Sequence, residues 1–337
     1  MSAATPAQHP STSWHPSVEE QLFGDLDPEA VLRQCGRTFY AASRVLPRQV
    51  REDLSVLYAF CRVVDDCADT ADTDRAQADA LLNEIEAGLD GRSRRSPVVE
   101  SFRRLAVNHA VPLDHARELI AGVRSDMGHV RFSTSSQLIQ YAYRVASTVG
   151  LMMCRVLDVH PDGDAFAIDL GIGMQLTNIA RDVAEDARND RIYLPAEWVD
   201  HDVLLSAIRD GKRASAGELS VADAIERLLT LADNYYESAE LGMHYLPPRV
   251  RGGIRSAAWN YRAIGSIIRR KPQAALARRA STRSAGKLMR TGAALWASVL
   301  ESLPLGPADR HDRELHTPLL PLGVVPGRLQ ATQGRQR

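Results

Sequence analysis

The sequence predicts an all-α protein, a single-domain helical bundle, on three observations. Apolar residues recur with helical periodicity from about residue 27 to residue 302. Few runs alternate apolar and polar residues, and few turns look like tight hairpins, so strands have little support. Two well-separated segments carry a polar stripe on an otherwise apolar helix, a pattern that calls for an internal cavity.

Along the chain, residues 1–18 are rich in Ser, Thr, Pro and Ala and are expected to be disordered. The helical domain is expected over residues 19–303. Its 337-residue chain is 45% hydrophobic and 6% aromatic, which supports one large core. Helix breaks are expected near Pro47, Asp90-Gly91, Pro112, Pro161-Asp162-Gly163, Pro195, Gly211 and Pro247-Pro248. Residues 304–337 carry Pro304, Pro307, Pro318, Pro321 and Pro326 and close on Gly334-Arg335-Gln336-Arg337, which reads as a flexible tail.

Composition excludes several classes. The net charge of −1 supplies no global basic field for nucleic acid, and no basic-plus-aromatic stripe or zinc-finger spacing is present. Cys35, Cys61, Cys67 and Cys154 form no CxxC pair and read as buried, reduced thiols of a cytoplasmic protein. No window approaches 18 consecutive apolar residues, so no membrane span is expected, and the N-terminus does not read as a secretory signal.

The first striped segment is Tyr58-Ala59-Phe60-Cys61-Arg62-Val63-Val64-Asp65-Asp66-Cys67-Ala68-Asp69. At 100° per residue, Tyr58, Arg62, Asp65, Asp66 and Asp69 share an arc of about 100°. The rest of the circumference is apolar, so this helix is mostly buried. Buried carboxylates need cations or donors to stay charged. The second segment is Gln175-Leu176-Thr177-Asn178-Ile179-Ala180-Arg181-Asp182-Val183-Ala184-Glu185-Asp186. Its polar residues fill an arc of about 140°, with Ile168, Ile172, Leu176, Ile179, Ala180, Val183 and Ala184 outside or at its edge. Gly171 falls under this stripe one turn before Gln175, where the missing side chain is expected to leave room for a ligand. Both segments carry acids at i, i+4 spacing, which can hold Mg²⁺ ions against a diphosphate, and the two are expected to face each other across one pocket.

Longer runs carry a family resemblance. They are Thr38-Phe39-Tyr40-Ala41-Ala42-Ser43-Arg44-Val45-Leu46-Pro47, the first acid segment, Val145-Ala146-Ser147-Thr148-Val149-Gly150, and residues 175–198 ending in Arg191-Ile192-Tyr193-Leu194-Pro195-Ala196-Glu197-Trp198. With Tyr261-Arg262-Ala263-Ile264, they resemble the bacterial phytoene synthases of the squalene/phytoene synthase family of head-to-head prenyl transferases. The resemblance implies an isoprenoid-synthase-type bundle around a central cavity. It implies condensation of two geranylgeranyl diphosphates to phytoene through a cyclopropylcarbinyl diphosphate, in carotenoid biosynthesis. Mg²⁺ would be required, with Mn²⁺ as a substitute, and NADPH is not expected.

Residue roles follow from the same resemblance. Asp65, Asp66 and Asp69 would hold metal from the first helix, and Asn178, Asp182 and Asp186 from the second, with Glu185 nearby on the wheel. Arg62 and Arg181 would pair with phosphates or hold the acids in place. Tyr58, Tyr141, Gln175 and Tyr261 match positions near the reacting centre, where phenols can orient a diphosphate. Thr38, Phe39 and Arg191 would bind substrate, and Val145, Ala146, Gly150, Leu170 and Gly171 would line its tunnel.

Two departures stand out. Many family members carry Ser-x-Ser-Phe where this chain reads Gly36-Arg37-Thr38-Phe39, and a basic-Gly-Arg run appears here as Asn189-Asp190-Arg191. The alternatives are a relative that makes dehydrosqualene, presqualene diphosphate or squalene from farnesyl diphosphate, and a catalytically silent helical binding protein. The basic stretch from Arg269-Arg270-Lys271 to Arg290 admits peripheral contact with an anionic membrane. Membrane and a downstream carotenoid desaturase are the expected partners beyond substrate.

Overall fold

The computed structural model describes residues 17–36, 40, 43–44, 46–71, 74–210, 216–270 and 311–324, with the side chains at 69–71, 210 and 216–219 outside that description. Among the described residues stand twelve α-helices and one two-residue parallel bridge, so the all-α expectation holds.

Local chemistry sets the helix ends. Helix α1 (Val18–Phe23) opens on a capping box in which Ser17 accepts from the Glu20 N–H and Glu20 accepts from the Ser17 N–H. It therefore begins inside the segment expected to be disordered. Helix α2 (Pro28–Cys35) opens on Asp27 with proline at its first position, where a missing N–H costs nothing. Helix α3 (Arg48–Ala71) starts directly after Pro47. Helix α4 (Arg75–Leu89) stops before Asp90-Gly91, and Gly91 takes the left-handed conformation at φ 74°. Helices α5 (Pro97–Asn108) and α6 (Leu113–Ser125) follow. Helix α7 (Ser135–Ala142) continues through a π-helical turn (Tyr143–Ser147) into α8 (Thr148–Val156). The long α9 (Asp164–Arg188) leads to α10 (His201–Asp210), α11 (Ala216–Leu241) and α12 (Pro248–Arg270). The break expected at Gly211 lies outside the described residues.

Two large halves make up most of the apolar core, each built around one acid-bearing helix, beside a small third cluster of Cys154, Leu157, Val159 and Val250. Phe60, Val63 and Val64 of α3 pack with Leu82, Ile85, Phe102 and Ile120, and Phe60 stacks on Phe102 at 3.9 Å. Ile168, Ile172, Leu176 and Ile179 of α9 pack with Leu228, Leu229 and Tyr235. Helix α8 joins the halves, giving Met152 and Val156 to the first and Leu151 to the second.

Two features fix what lies between the halves. The π-turn is gripped by glycines: a Cβ on Gly171 would sit 2.6 Å from the Ser147 Cα, and one on Gly122 would sit 2.8 Å from the Arg144 Cβ. The absence of a side chain at Gly171 therefore admits the backbone of the π-turn. The second feature is the parallel bridge of β1 (Val130–Arg131) with β2 (Arg191–Ile192), which ties the chain after α6 to the chain after α9.

The tail expectation is corrected over residues 311–324. Arg313–Leu322 forms a 3₁₀ helix capped by Asp312, with Leu319 fully buried. Tyr235 donates to the Leu315 carbonyl at 2.8 Å, and Gln140 of α7 donates to the Pro318 carbonyl at 2.9 Å. His311 and His316 each contact a separate oxygen of the fully buried Asp169, both at 2.8 Å, and Ser238 donates to that carboxylate at 2.6 Å. A buried carboxylate on α9 thus recruits a proline-rich segment whose composition reads as loop. The cysteine expectation also needs one correction, because Cys35 is exposed while Cys67 and Cys154 are buried.

Candidate active site

The inverted amphipathicity is observed on both helices. On α3, Leu57, Ala59, Phe60, Val63, Val64, Cys67 and Ala68 are buried, while Tyr58 and Arg62 are partly exposed and Asp65 is exposed. On α9, Ile168, Ile172, Leu176, Ile179, Ala180, Val183 and Ala184 are buried, whereas Gln175, Asn178, Arg181, Asp182 and Asp186 keep partial exposure. Asp69 follows Asp65 by one turn on α3, but its side chain lies outside the described residues, as do Thr38 and Phe39.

The arginines hold the acids. Arg62 pairs with Asp66 and lies 3.5 Å from Asp65, and Gln21 of α1 donates to the second Asp66 oxygen at 3.0 Å. Asp66 is buried under these contacts and acts as an anchor for Arg62, with Asp65 the more open acid. Arg181 grips its neighbour Asp182 through Nε at 2.9 Å and through a second nitrogen at 2.5 Å. Tyr261 of α12 lies near Arg181. The Tyr58 phenol is pushed up to about 12, chiefly by burial and then by the nearby Cys35 and acids, so it stays protonated. Tyr58 also explains the glycine at 36: a Cβ there would meet the Tyr58 ring at 2.9 Å and Leu32 at 3.0 Å.

Sequence reasoning missed the residue that joins the two acid sets. Asp126, just past the end of α6, receives the hydroxyls of both Tyr141 and Tyr193 on separate oxygens, the latter at 2.7 Å. Its carboxyl is pushed up to about 6 by burial, against the pull of the two phenols and Arg191, and Asp65 of the first motif repels it. Asp186 of the second motif is pushed up to about 7 by burial, by Asp182 and then by Asp126. Asp126 therefore stands within electrostatic reach of both motifs. The expectation that Tyr141 offers its O–H to a diphosphate is corrected, since Asp126 engages that proton. Tyr193 sits in the run already quoted for the resemblance, but Asp126 has no acid partner at helical spacing to mark it.

Two apolar clefts run from the motifs. A cavity of about 300 Å³ is lined by Val145, Ala146, Gly150, Leu170 and Gly171 and reaches Gln175 and Asn178 of α9. A second, of about 160 Å³, reaches Tyr58 and Cys61 of α3. Val149 and Met153 of α8, Leu157 just past its end and Ile254 of α12 line both.

The donor set fits a divalent cation that prefers oxygen ligands. Asn178 Oδ1 is buried with no hydrogen-bond partner, and Asp186 is held near Asp182 and Asp126 without enough positive charge to keep it fully ionised. The other group with metal-ligand residue types, Asp169 with His311 and His316, has donor atoms within 4.8 Å of one another. Nine residues before Asn178, Asp169 lies about 180° away around α9, and each imidazole meets its own carboxylate oxygen at hydrogen-bond distance.

A Squalene/phytoene synthase family model matches residues 32–285, and the chain belongs to that family. Its members act on prenyl diphosphates and typically need a divalent metal. The chain is 37% identical to a phytoene synthase of Rhodobacter capsulatus over 82% of this chain and 83% of that one. It is 36% identical to a 15-cis-phytoene synthase of a Paracoccus species, over 81% of this chain and 91% of the relative. Among solved structures it is similar to a dehydrosqualene synthase in complex with ligand, with TM-score 0.68 and 26% identity, covering 82% of this chain and 95% of that one. No helix among the described residues is long and apolar enough to cross a membrane.

Proposed function

We propose that the chain is a phytoene synthase, a prenyltransferase that joins two geranylgeranyl diphosphates head to head. The observation that supports this most is the pair of apolar clefts, one reaching each acid-bearing helix, that share Val149, Met153, Leu157 and Ile254 in their linings. Two long chains with their diphosphates at the acids fit such a layout. Relatives at 36–37% identity that bear the name phytoene synthase favour the C20 substrate over the C15 substrate of the dehydrosqualene synthase at 26%.

The chemistry follows from the residues. Asp65 with Asp69, and Asn178 with Asp182 and Asp186, would hold Mg²⁺, or Mn²⁺ in its place. The metal's contribution is to neutralise the diphosphate and improve it as a leaving group. Arg62 and Arg181 keep the acids aimed and offer bidentate N–H groups to the same oxyanion. Arg191, close to Asp126 and Asp186, adds positive charge on the second helix's side. Ionisation leaves an allylic cation, which the second substrate's double bond attacks, with proton loss, to give the cyclopropylcarbinyl diphosphate. A second ionisation, rearrangement and proton loss give phytoene. Val145, Ala146, Gly150 and Leu170 would keep water from the cations, and the aromatic faces of Tyr58 and Tyr261 would stabilise positive carbon. No NADPH enters this sequence.

The C40 hydrocarbon cannot leave into water, so a membrane surface or a downstream desaturase would take it up from a peripherally bound enzyme. Of the basic stretch, Arg269 is already paired with Glu226 at 2.9 Å and Asp233 at 2.6 Å, and residues 271–290 lie outside the described ones. Flotation with anionic vesicles tests this part, and protein left at the bottom of the gradient would refute it.

The central test is incubation with Mg²⁺ and either geranylgeranyl or farnesyl diphosphate, without NADPH, followed by mass analysis. Phytoene from the C20 substrate is the expected result. Product from the C15 substrate alone would move the chain to the C30 branch, and none from either would leave a silent binding protein.

A further inference from the structure

The group around Asp126 has no role in the mechanism above, yet its geometry is specific. The β1–β2 bridge brings the end of α6 beside the end of α9, and so Asp126 beside Tyr193. Tyr141 comes from α7, and its ring stacks on that of Tyr193 at 5.0 Å with Phe132 tilted against both. Three separate segments thus converge on one carboxylate. A phenol has a single proton to donate. With both protons on Asp126, the Tyr141 and Tyr193 oxygens offer only lone pairs to anything else. Asp65 lies close enough to repel Asp126, and Asp186 close enough to repel both Asp126 and Tyr193 when they are charged.

We propose that Asp126 is a positioning residue of the ionising centre: it fixes Tyr141 and Tyr193 as hydrogen-bond acceptors toward cation-bound water, and its charge joins the two acid motifs into one field. The phenols then avoid the diphosphate oxygens, which need donors, and favour groups of positive character. This rests on the prenyltransferase reading given above.

Asp126→Asn keeps the shape but presents an N–H to one phenol and removes the charge. In this variant kcat should fall about thirty-fold or more, with KM for geranylgeranyl diphosphate within about three-fold of the parent. Half-saturation by Mn²⁺, read by electron paramagnetic resonance with inorganic diphosphate present, should need at least about three times more metal. Tyr193→Phe should slow the parent enzyme yet add little in the Asp126→Asn background, because both changes break one unit. A kcat close to the parent's, unchanged Mn²⁺ binding, or losses that simply multiply would overturn the proposal. Should Asp126→Asn not fold, the Tyr141→Phe/Tyr193→Phe double variant, which leaves Asp126 in place, must show the same kcat loss at steady KM, and full activity there would refute it. If the parent makes no product from either diphosphate, the phytoene synthase reading fails, while the Mn²⁺ titration still decides the role of Asp126.

Discussion

At the scale of single residues, the second motif is under electrostatic load. Asp186 has its carboxyl raised to about 7 from an ordinary value of 3.8, chiefly by burial and then by Asp182. The folded chain without metal therefore binds a proton there that the unfolded chain releases, and stability is lost as pH rises from about 4 to about 7. A divalent cation relieves that load, and it competes with the proton for the same oxygens. The rise in Tm on adding Mg²⁺ should therefore be larger at pH 8 than at pH 6, and a shift independent of pH would show that Asp186 is not a ligand. Asp186→Asn should raise the metal-free Tm and abolish the pH-dependent part of the Mg²⁺ shift. Asp190 is a second case. It takes the left-handed conformation at φ 60° where the resemblance expects glycine, held by Arg131 at 2.5 Å and His129 at 2.7 Å. The conformation costs roughly 1 kcal/mol for a non-glycine residue, and the exposed pairs return about as much. Asp190→Gly should thus unfold within about 0.5 kcal/mol of the parent, whereas Asp190→Ala, which keeps the strain and loses the pairs, should cost about 1–2 kcal/mol in urea titration.

At the scale of elements, the helices were legible because their signals are local. Pro47, Pro112, the Pro161 turn and Pro248 each lie at a helix start, and the apolar circumference of the two acid segments is buried as their wheels require. The π-turn was not legible, since nothing in Tyr143-Arg144-Val145-Ala146-Ser147 distinguishes an extra residue per turn from ordinary helix. Its cause is tertiary: Gly122 and Gly171 let two other helices approach its backbone, and Ser147 donates to the Ile168 carbonyl at 2.7 Å. The turn also carries Val145 and Ala146 into the larger cavity. Gly171→Ala would force a Cβ against the Ser147 Cα, and rigid backbone cannot yield as a side-chain tip can. It should cost about 1–3 kcal/mol in thermal or chemical unfolding and lower kcat, because the cavity wall must shift with the turn. Gly150→Ala is the comparison, with its Cβ at 3.3 Å from the Ala167 carbonyl oxygen, and it should cost less. Equal losses in the two variants would mean that the grip on the π-turn has no special weight.

At the scale of the whole molecule, the chain closes on itself in a way composition conceals. Residues 311–324 hold Pro318 and Pro321, which mark a loop by any local rule, and the partners that order the segment lie more than sixty residues away in sequence. For the same reason the two motifs were readable from i, i+4 spacing, while Asp126 and the Asp169 clamp, assembled from distant segments, were not. The clamp is the stronger structural device. Burial alone would raise the Asp169 carboxyl, yet hydrogen bonds from His311 and His316 hold it below its ordinary value, so the charge is retained in the core. Removing one partner from a buried charge costs about 3–5 kcal/mol, because the ion stays desolvated after its hydrogen bond is gone. His316→Ala should therefore lower Tm substantially, whereas Asp169→Asn with both histidines kept should cost less, since no buried charge is left behind. The effect should reach the active site by a short route. Gln140, which donates to the Pro318 carbonyl, precedes Tyr141 on α7, so releasing the segment frees one face of the helix that carries that phenol. Limited proteolysis of the His316→Ala protein should cut within 311–324 well before the helical body. Should the segment stay protected and the Tm match the parent, the clamp would not be what holds it.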